Sequence, residues 1–291
     1  MELSKKNISD MLEDIPIFSQ SVMRILELTS DIDCSTKELV GHITHDPILT
    51  ARVLRLVNSA YFGLSRKVIS IQQSVVYVGI NTIKNLAVSV AAMGSLPQTN
   101  KAGLDMTDYW LHSLVTAVVA KLLAQKNNVP SADVSTFFIS ALLHDIGQII
   151  FSQAHPYIYQ GVLEEAKKMQ APLQDIEQEI FGIDHAELGA LLAEKWKLPE
   201  MMVDAIRFHH DPDQIPDSVL LSESEILNRV VFVANQVAKI LDGDDKEISM
   251  RSEIPNSIRS WLGGGIEQVA DSLPNLEKEI ESAKVFIQFS N

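Results

Sequence analysis

One cysteine, Cys34, in 291 residues excludes an intrachain disulfide and a thiolate metal cluster. A reducing, cytoplasmic setting is the expectation. Basic excess is missing too: 24 Lys+Arg against 38 Asp+Glu give a net charge of −14, which argues against a nucleic-acid binder built on counterion displacement. Met1 leads into the polar stretch MELSKKNISD with no secretory apolar region, and apolar stretches such as Leu114 to Ala124, interrupted by Lys121, fall short of a membrane span. No membrane association is expected. Internal repeats, low-complexity tracts and period-two alternation bounded by turn residues are likewise missing, which removes solenoids and sheets from consideration.

Acid is absent from one region in particular. Residues 47 to 104 contain no Asp or Glu but carry Arg52, Arg55, Arg66, Lys67, Lys84 and Lys101, so this stretch is +6 in a chain of −14. Apolar helices with few acids would explain it, and so would a docking face for an acidic protein partner or an anionic ligand such as a nucleotide. The sharper expectation is that Arg52, Arg55, Arg66 and Lys67 form an electropositive face.

What is present is helical periodicity, at 46% hydrophobic and 21% charged residues. The fold class is all-α. Ser35-x-x-Glu38 and Asp184-x-x-Glu187 read as capping boxes, and Asp46-Pro47 as an N-cap followed by proline in the first turn. Residues 71 to 96 read as two abutting buried helices broken near Gly79 and Asn81. Asn127-Asn128-Val129-Pro130 ends the next helix, after which Ser131 caps a long apolar helix running through LLHDIGQIIF to about Phe151. Pro199 opens a helix ending near His209-His210, and residues 226 to 241 form another. The expected organisation is an N-terminal helical subdomain (1–104), a helical core (105–241) and a C-terminal tail or added helices (242–291), with the boundary in the loop at 97–105.

Five of the eight histidines, His112, His144, His185, His209 and His210, fall inside or at the ends of these helices, and Asp145 adjoins one of them. Neutral imidazoles with a carboxylate are a divalent metal set for Fe, Mn, Ni or Zn, provided that several helices converge on one point. Taken singly, each has a plainer reading: His112 as a hydrogen-bonded core residue, His209 and His210 as helix-end cations favoured by the dipole. His45 has no partner histidines at suitable spacing and Asp46 is accounted for as a cap, while His42 reads as a surface residue and His155, before Pro156, as a loop residue.

The order His112, LLHDIGQ (142–148), His185-x-x-x-Gly189 and His209-His210 resembles the HD superfamily of metal-dependent phosphohydrolases. The segments ITHDPILTARVLRLVNSAYFG, ISIQQSVVYVGINTIKNLAV and FGIDHAELGALLAEKWKLPEMMVDAIRFHH narrow this to a resemblance to the HDOD family, the HD-related output domain of bacterial signalling proteins, over about residues 10 to 240. The resemblance implies an N-terminal helical subdomain, an HD-like helical core, and a ligand set of His112, His144, Asp145, His185, His209 and His210. Asn235 in VVFVAN stands where the family pattern has an Asp, keeping an oxygen donor but losing a charge. Gln148 follows HDIG where the cyclic-dinucleotide phosphodiesterase branch has Lys, and Asp211-Pro212-Asp213-Gln214 replaces its GYP element. The expected function is a cytoplasmic signal-transduction protein acting on a signalling partner protein, with one or two divalent metals. The alternative is a metal-dependent phosphohydrolase of a nucleotide or phosphodiester, with Asp145 bridging the metals or orienting the nucleophilic water.

Overall fold

The computed structural model describes residues 5–13, 15–16, 18–29, 35–97, 102–214, 222–242 and 254–289. Cys34, Lys101 and the middle of the expected boundary loop lie outside them. Among the described residues the regular structure is helical throughout, with no strand. The first region holds α1 (Lys5–Glu13), α2 (Gln20–Thr29), α3 (Thr36–His45), α4 (Pro47–Val57), α5 (Ile71–Val78) and α6 (Ile80–Ser95). Asp46 caps α4 as its sequence demands, accepting from the Leu49 amide at 3.0 Å with Pro47 in the first turn. The step from α5 to α6 is a 120° bend at Gly79, whose φ of +84° is a backbone state that a side chain disfavours.

The second region is built on α7 (Met106–Lys126), which is buried nearly all round between α8 (Val134–Leu143) and α14 (Glu223–Asp242). Between them run α9 (Ile146–Ala154), α10 (Pro156–Met169), α11 (Leu173–Phe181), α12 (His185–Lys195) and α13 (Glu200–Arg207). Asp184 caps α12 through the Glu187 amide at 2.8 Å.

Two expectations are corrected here. The long helix from Ser131 to Phe151 is two helices with Asp133 at the first N-cap position, and the chain leaves helical geometry at Asp145 (φ −98°, ψ 10°). Residues 134–154 are also long and apolar enough to cross a membrane by length and composition, contrary to the reading that every apolar stretch falls short. However, 83% of the window is buried inside the protein, as expected for a core element.

Just past the break, Gly147 sets the packing of α9. A Cβ there would lie 2.0 Å from the His185 carbonyl oxygen, so only glycine lets α9 lie directly on the start of α12. Gly189 completes the crossing, with Gly147 N and Ile146 both 3.2 Å from where its Cβ would be.

The ends of the chain fasten the two regions together. Trp196, after α12, stacks on Phe18 at 4.6 Å and donates to the Pro16 carbonyl at 3.1 Å. Past α14, short helices at Asn256–Leu262, Ile266–Ser272 and Leu276–Ala283 lead to a 3-10 turn at Lys284–Phe289. Buried Phe286 packs on Tyr61 of the first region (5.2 Å) and on Phe138 of α8 (4.8 Å), while Lys121 joins Glu279 at 2.8 Å.

Candidate metal centre

The break after His144 lets two successive residues point at the same place, where an unbroken helix would set them about 100° apart. The Asp145 carboxylate is the hub. Its Oδ1 lies 3.1 Å from His185 Nε2 and 3.3 Å from His209 Nε2, and its Oδ2 lies 3.3 Å from His144 Nε2 and 3.9 Å from His112 Nε2. His210 joins through Nε2, 2.9 Å from His185 Nε2. The ligand atoms therefore form two groups sharing Asp145: His112, His144 and Asp145, and Asp145, His185, His209 and His210.

Four of the five imidazoles are turned by their other nitrogen. His144 Nδ1 meets the Ala141 carbonyl at 2.7 Å and His209 Nδ1 the Ile206 carbonyl at 2.6 Å. His112 Nδ1 meets Asp242 at 2.7 Å and His185 Nδ1 meets Glu177 at 2.5 Å. Carbonyl and carboxylate oxygens can only accept, so all four Nδ1 atoms donate. In the neutral rings the Nε2 lone pairs are left facing a carboxylate that also only accepts.

That convergence is unfavourable unless positive charge lies within it. Burial presses His209 down to about 4 and also lowers His144, so both are neutral at physiological pH. For His185 burial acts the same way, but the Glu177 and Asp145 carboxylates outweigh it and lift the ring to about 10. Burial also opposes charge on Asp145, yet the surrounding imidazoles hold its carboxyl well below the usual range. His144 Nε2, His209 Nε2 and Asp145 Oδ1 remain buried without a hydrogen-bond partner. Orphaned donors of this type, around an ionised carboxylate, fit a divalent cation.

The arrangement and its order in the chain decide the relationship, because the HDOD domain family matches residues 15–212, more than half of the sequence. The chain belongs to the HDOD family. Similar solved structures include a Shewanella amazonensis SB2B protein named "Putative phosphohydrolase", with 26% identity, TM-score 0.71, and 96% of this chain and 98% of that one covered. An HDOD domain protein of unknown function from Geobacter sulfurreducens shares the fold at 24% identity and TM-score 0.72, with 96% of each chain covered. An uncharacterized protein of Treponema pallidum is 29% identical over 256 residues, 88% of this chain; the chain spans 47% of that relative's length.

Within this HDOD protein, the structure brings together six of the seven residues singled out from the sequence. Asn235 is buried on α14, with neither amide atom partnered. His45 instead bonds its own helix at the Gly41 carbonyl (2.6 Å), and His155 stacks on Phe181. The residues that sequence reasoning missed are Glu177 and Asp242, which hold His185 and His112. Glu177 had no local signal, since LQDIEQEIF reads as an ordinary amphipathic helix.

Proposed function

We propose that this HDOD protein is a cytoplasmic regulatory protein that holds one or two divalent metals and acts by contact with a signalling partner. The metal reading is carried by the bare Nε2 atoms and the carboxylate converging in a buried centre. His112, His144 and Asp145 would hold one ion with help from Asn235, and Asp145, His185, His209 and His210 a second. A bound divalent ion would take the place of the His185 Nε2 proton, bring positive charge to the neutral rings, and supply a Lewis-acid centre. The chain's own residues fix the donors' direction, exclude water and, through Asp145, join the two groups.

Closure favours regulation over turnover. His144 and His209 are fully buried and His185 nearly so, and the position after HDIG carries uncharged Gln148 rather than a cation for a substrate phosphate. The second reading, a metal-dependent phosphohydrolase, is favoured by the shared Asp145 and by the rim, where His112 and His210 are half-buried rather than sealed.

The partner reading rests on the acid-free region. Arg66 and Lys67 are exposed beside Ile69 and Val76, 74% and 80% exposed, and Tyr77, whose hydroxyl accepts from Arg66. Cationic and apolar side chains together suit an acidic protein segment that also carries apolar residues, rather than a simple anion. Arg52 is half-buried against Gly94 and Lys84 is buried, so the face is smaller than the sequence count suggests.

Elemental analysis of the full chain, with melting curves after chelation and re-addition of Fe, Mn, Ni or Zn, tests the metal reading. Metal at 100 times its dissociation constant adds about 2.7 kcal/mol of stability. No bound metal and no stabilisation would overturn it. Turnover of nucleotides, phosphomonoesters or cyclic dinucleotides that disappears in His144→Ala would replace regulation with the enzyme reading.

A further inference from the structure

Two of the four partnered imidazoles are turned by backbone carbonyls, which no side-chain substitution removes. The other two are turned by carboxylates outside both ligand groups. Glu177 is fully buried on α11 and receives three donors: the Tyr159 hydroxyl on Oε1 at 2.8 Å, and on Oε2 the His185 amide at 2.8 Å and His185 Nδ1 at 2.5 Å. Asp242, the last residue of α14, meets His112 Nδ1 at 2.7 Å, with 23% of its side chain exposed.

A carboxylate on the far nitrogen fixes the tautomer, aims the ring and makes the near nitrogen more basic. We infer that Glu177 and Asp242 are positioning residues that divide the centre between them. Glu177, through His185, sets the affinity of the deep position formed by Asp145, His185, His209 and His210; Asp242, through His112, sets that of the rim position formed by His112, His144 and Asp145. The inference rests on the metal-binding reading above.

The two supports differ in strength for a physical reason. Glu177 acts out of reach of water with its other oxygen pinned by Tyr159, whereas Asp242 and His112 are partly hydrated and screened. Asp242 also ends α14, the helix that carries Asn235 about two turns earlier.

The test is calorimetric titration of the chelator-stripped full chain with Co²⁺, with the visible absorption of the bound ion recorded at each addition. Wild type should bind in two steps. Glu177→Gln should weaken one step by about 10–100-fold and alter that step's spectrum alone. Asp242→Asn should weaken the other step, near the tenfold end, and leave the first step's spectrum unchanged. Tyr159→Phe touches no candidate ligand and should shift the same step as Glu177→Gln, which preserves the deep arm if Glu177→Gln fails to fold by circular dichroism. A merely structural role would lower the melting temperature without singling out one step or spectrum. Equal weakening of both steps, no change in either, or a single wild-type step would overturn the division. Wild type that takes up no cobalt, and none of the other metals, would overturn the metal reading itself.

Discussion

Gly79 and Gly147 show how differently the two regions use the same helices. At Gly79, in the acid-free region, nothing lies within 4 Å of where a Cβ would stand, and glycine serves only the +84° φ of the α5–α6 elbow. At Gly147 the added atom would meet a backbone carbonyl at 2.0 Å, and that carbonyl belongs to His185. One region turns a corner and leaves cations and apolar side chains facing outward. The other brings helices as close as backbones allow and turns its polar groups inward.

The sharpest break of this comparison is Gly147→Ala. Backbone cannot yield as a side chain can, so the cost should reach or exceed the upper end of the overpacking range, about 3 kcal/mol, and His185 should be displaced from the centre. Gly79→Ala should cost about 1–3 kcal/mol through strain alone and leave metal uptake intact. Urea melts with metal analysis of both variants check this. Equal metal uptake by the two would remove the claim that α9–α12 contact builds the site.

A second substitution tests the seam between the regions. Phe286 lies beyond the family match yet touches Tyr61 on one side and Phe138 on the other. Phe286→Ala should cost about 3–5 kcal/mol if the tail is part of one core, in a single cooperative urea transition. A loss below about 1 kcal/mol, or two separate transitions, would mean that the regions stand apart.

These contrasts also explain what the sequence made legible. Helices were readable because period and caps are local: Asp46-Pro47 and Asp184 each meet their amide within three residues. The histidines were readable because the ordered motif is spread along the chain but built of rare residue types. The break at Asp145 was not, because helical period runs through it unaltered, and the contact that follows it pairs Gly147 with His185, 38 residues further on. Glu177 and Asp242 were hidden for a related reason: in an acidic chain, one buried carboxylate looks like any other until the imidazole it meets is placed. Lys84 misled in the opposite direction, since a count of charges says nothing about which of them face solvent.

Asn235 sharpens the inward-facing half of the comparison. Asn235→Asp places a carboxyl at a site where neither amide atom has a partner, so without metal it should stay protonated and destabilise by about 1–3 kcal/mol as an unpaired polar group. With metal the added charge should tighten the rim step by on the order of tenfold, since paired charges in partly buried sites attract by more than their exposed counterparts. Melting with and without Co²⁺ reads the two signs separately. Destabilisation that persists in saturating metal would place Asn235 outside the ligand set.

The smallest effect on stability, and the most direct test of the outward-facing half, is Arg66→Glu with Lys67→Glu. Both side chains are exposed, and the main loss is the guanidinium over the Tyr77 ring at 5.3 Å, worth about 0.5–1 kcal/mol. Melting should therefore hardly move. Binding should move, if the face is a dock: a synthetic helical peptide alternating Glu clusters with Leu should bind wild type more weakly as salt rises, because exposed charges beyond about 10 Å are screened at 0.1 M. The double variant should lose that binding, while Val76→Asp should weaken it at every salt concentration by removing the apolar contact. A peptide in which Lys replaces Glu measures general stickiness. If it binds as well as the acidic one, or if charge reversal leaves the acidic peptide's affinity unchanged, the absence of acid from residues 47 to 104 reflects helix burial and not a surface shaped for a partner.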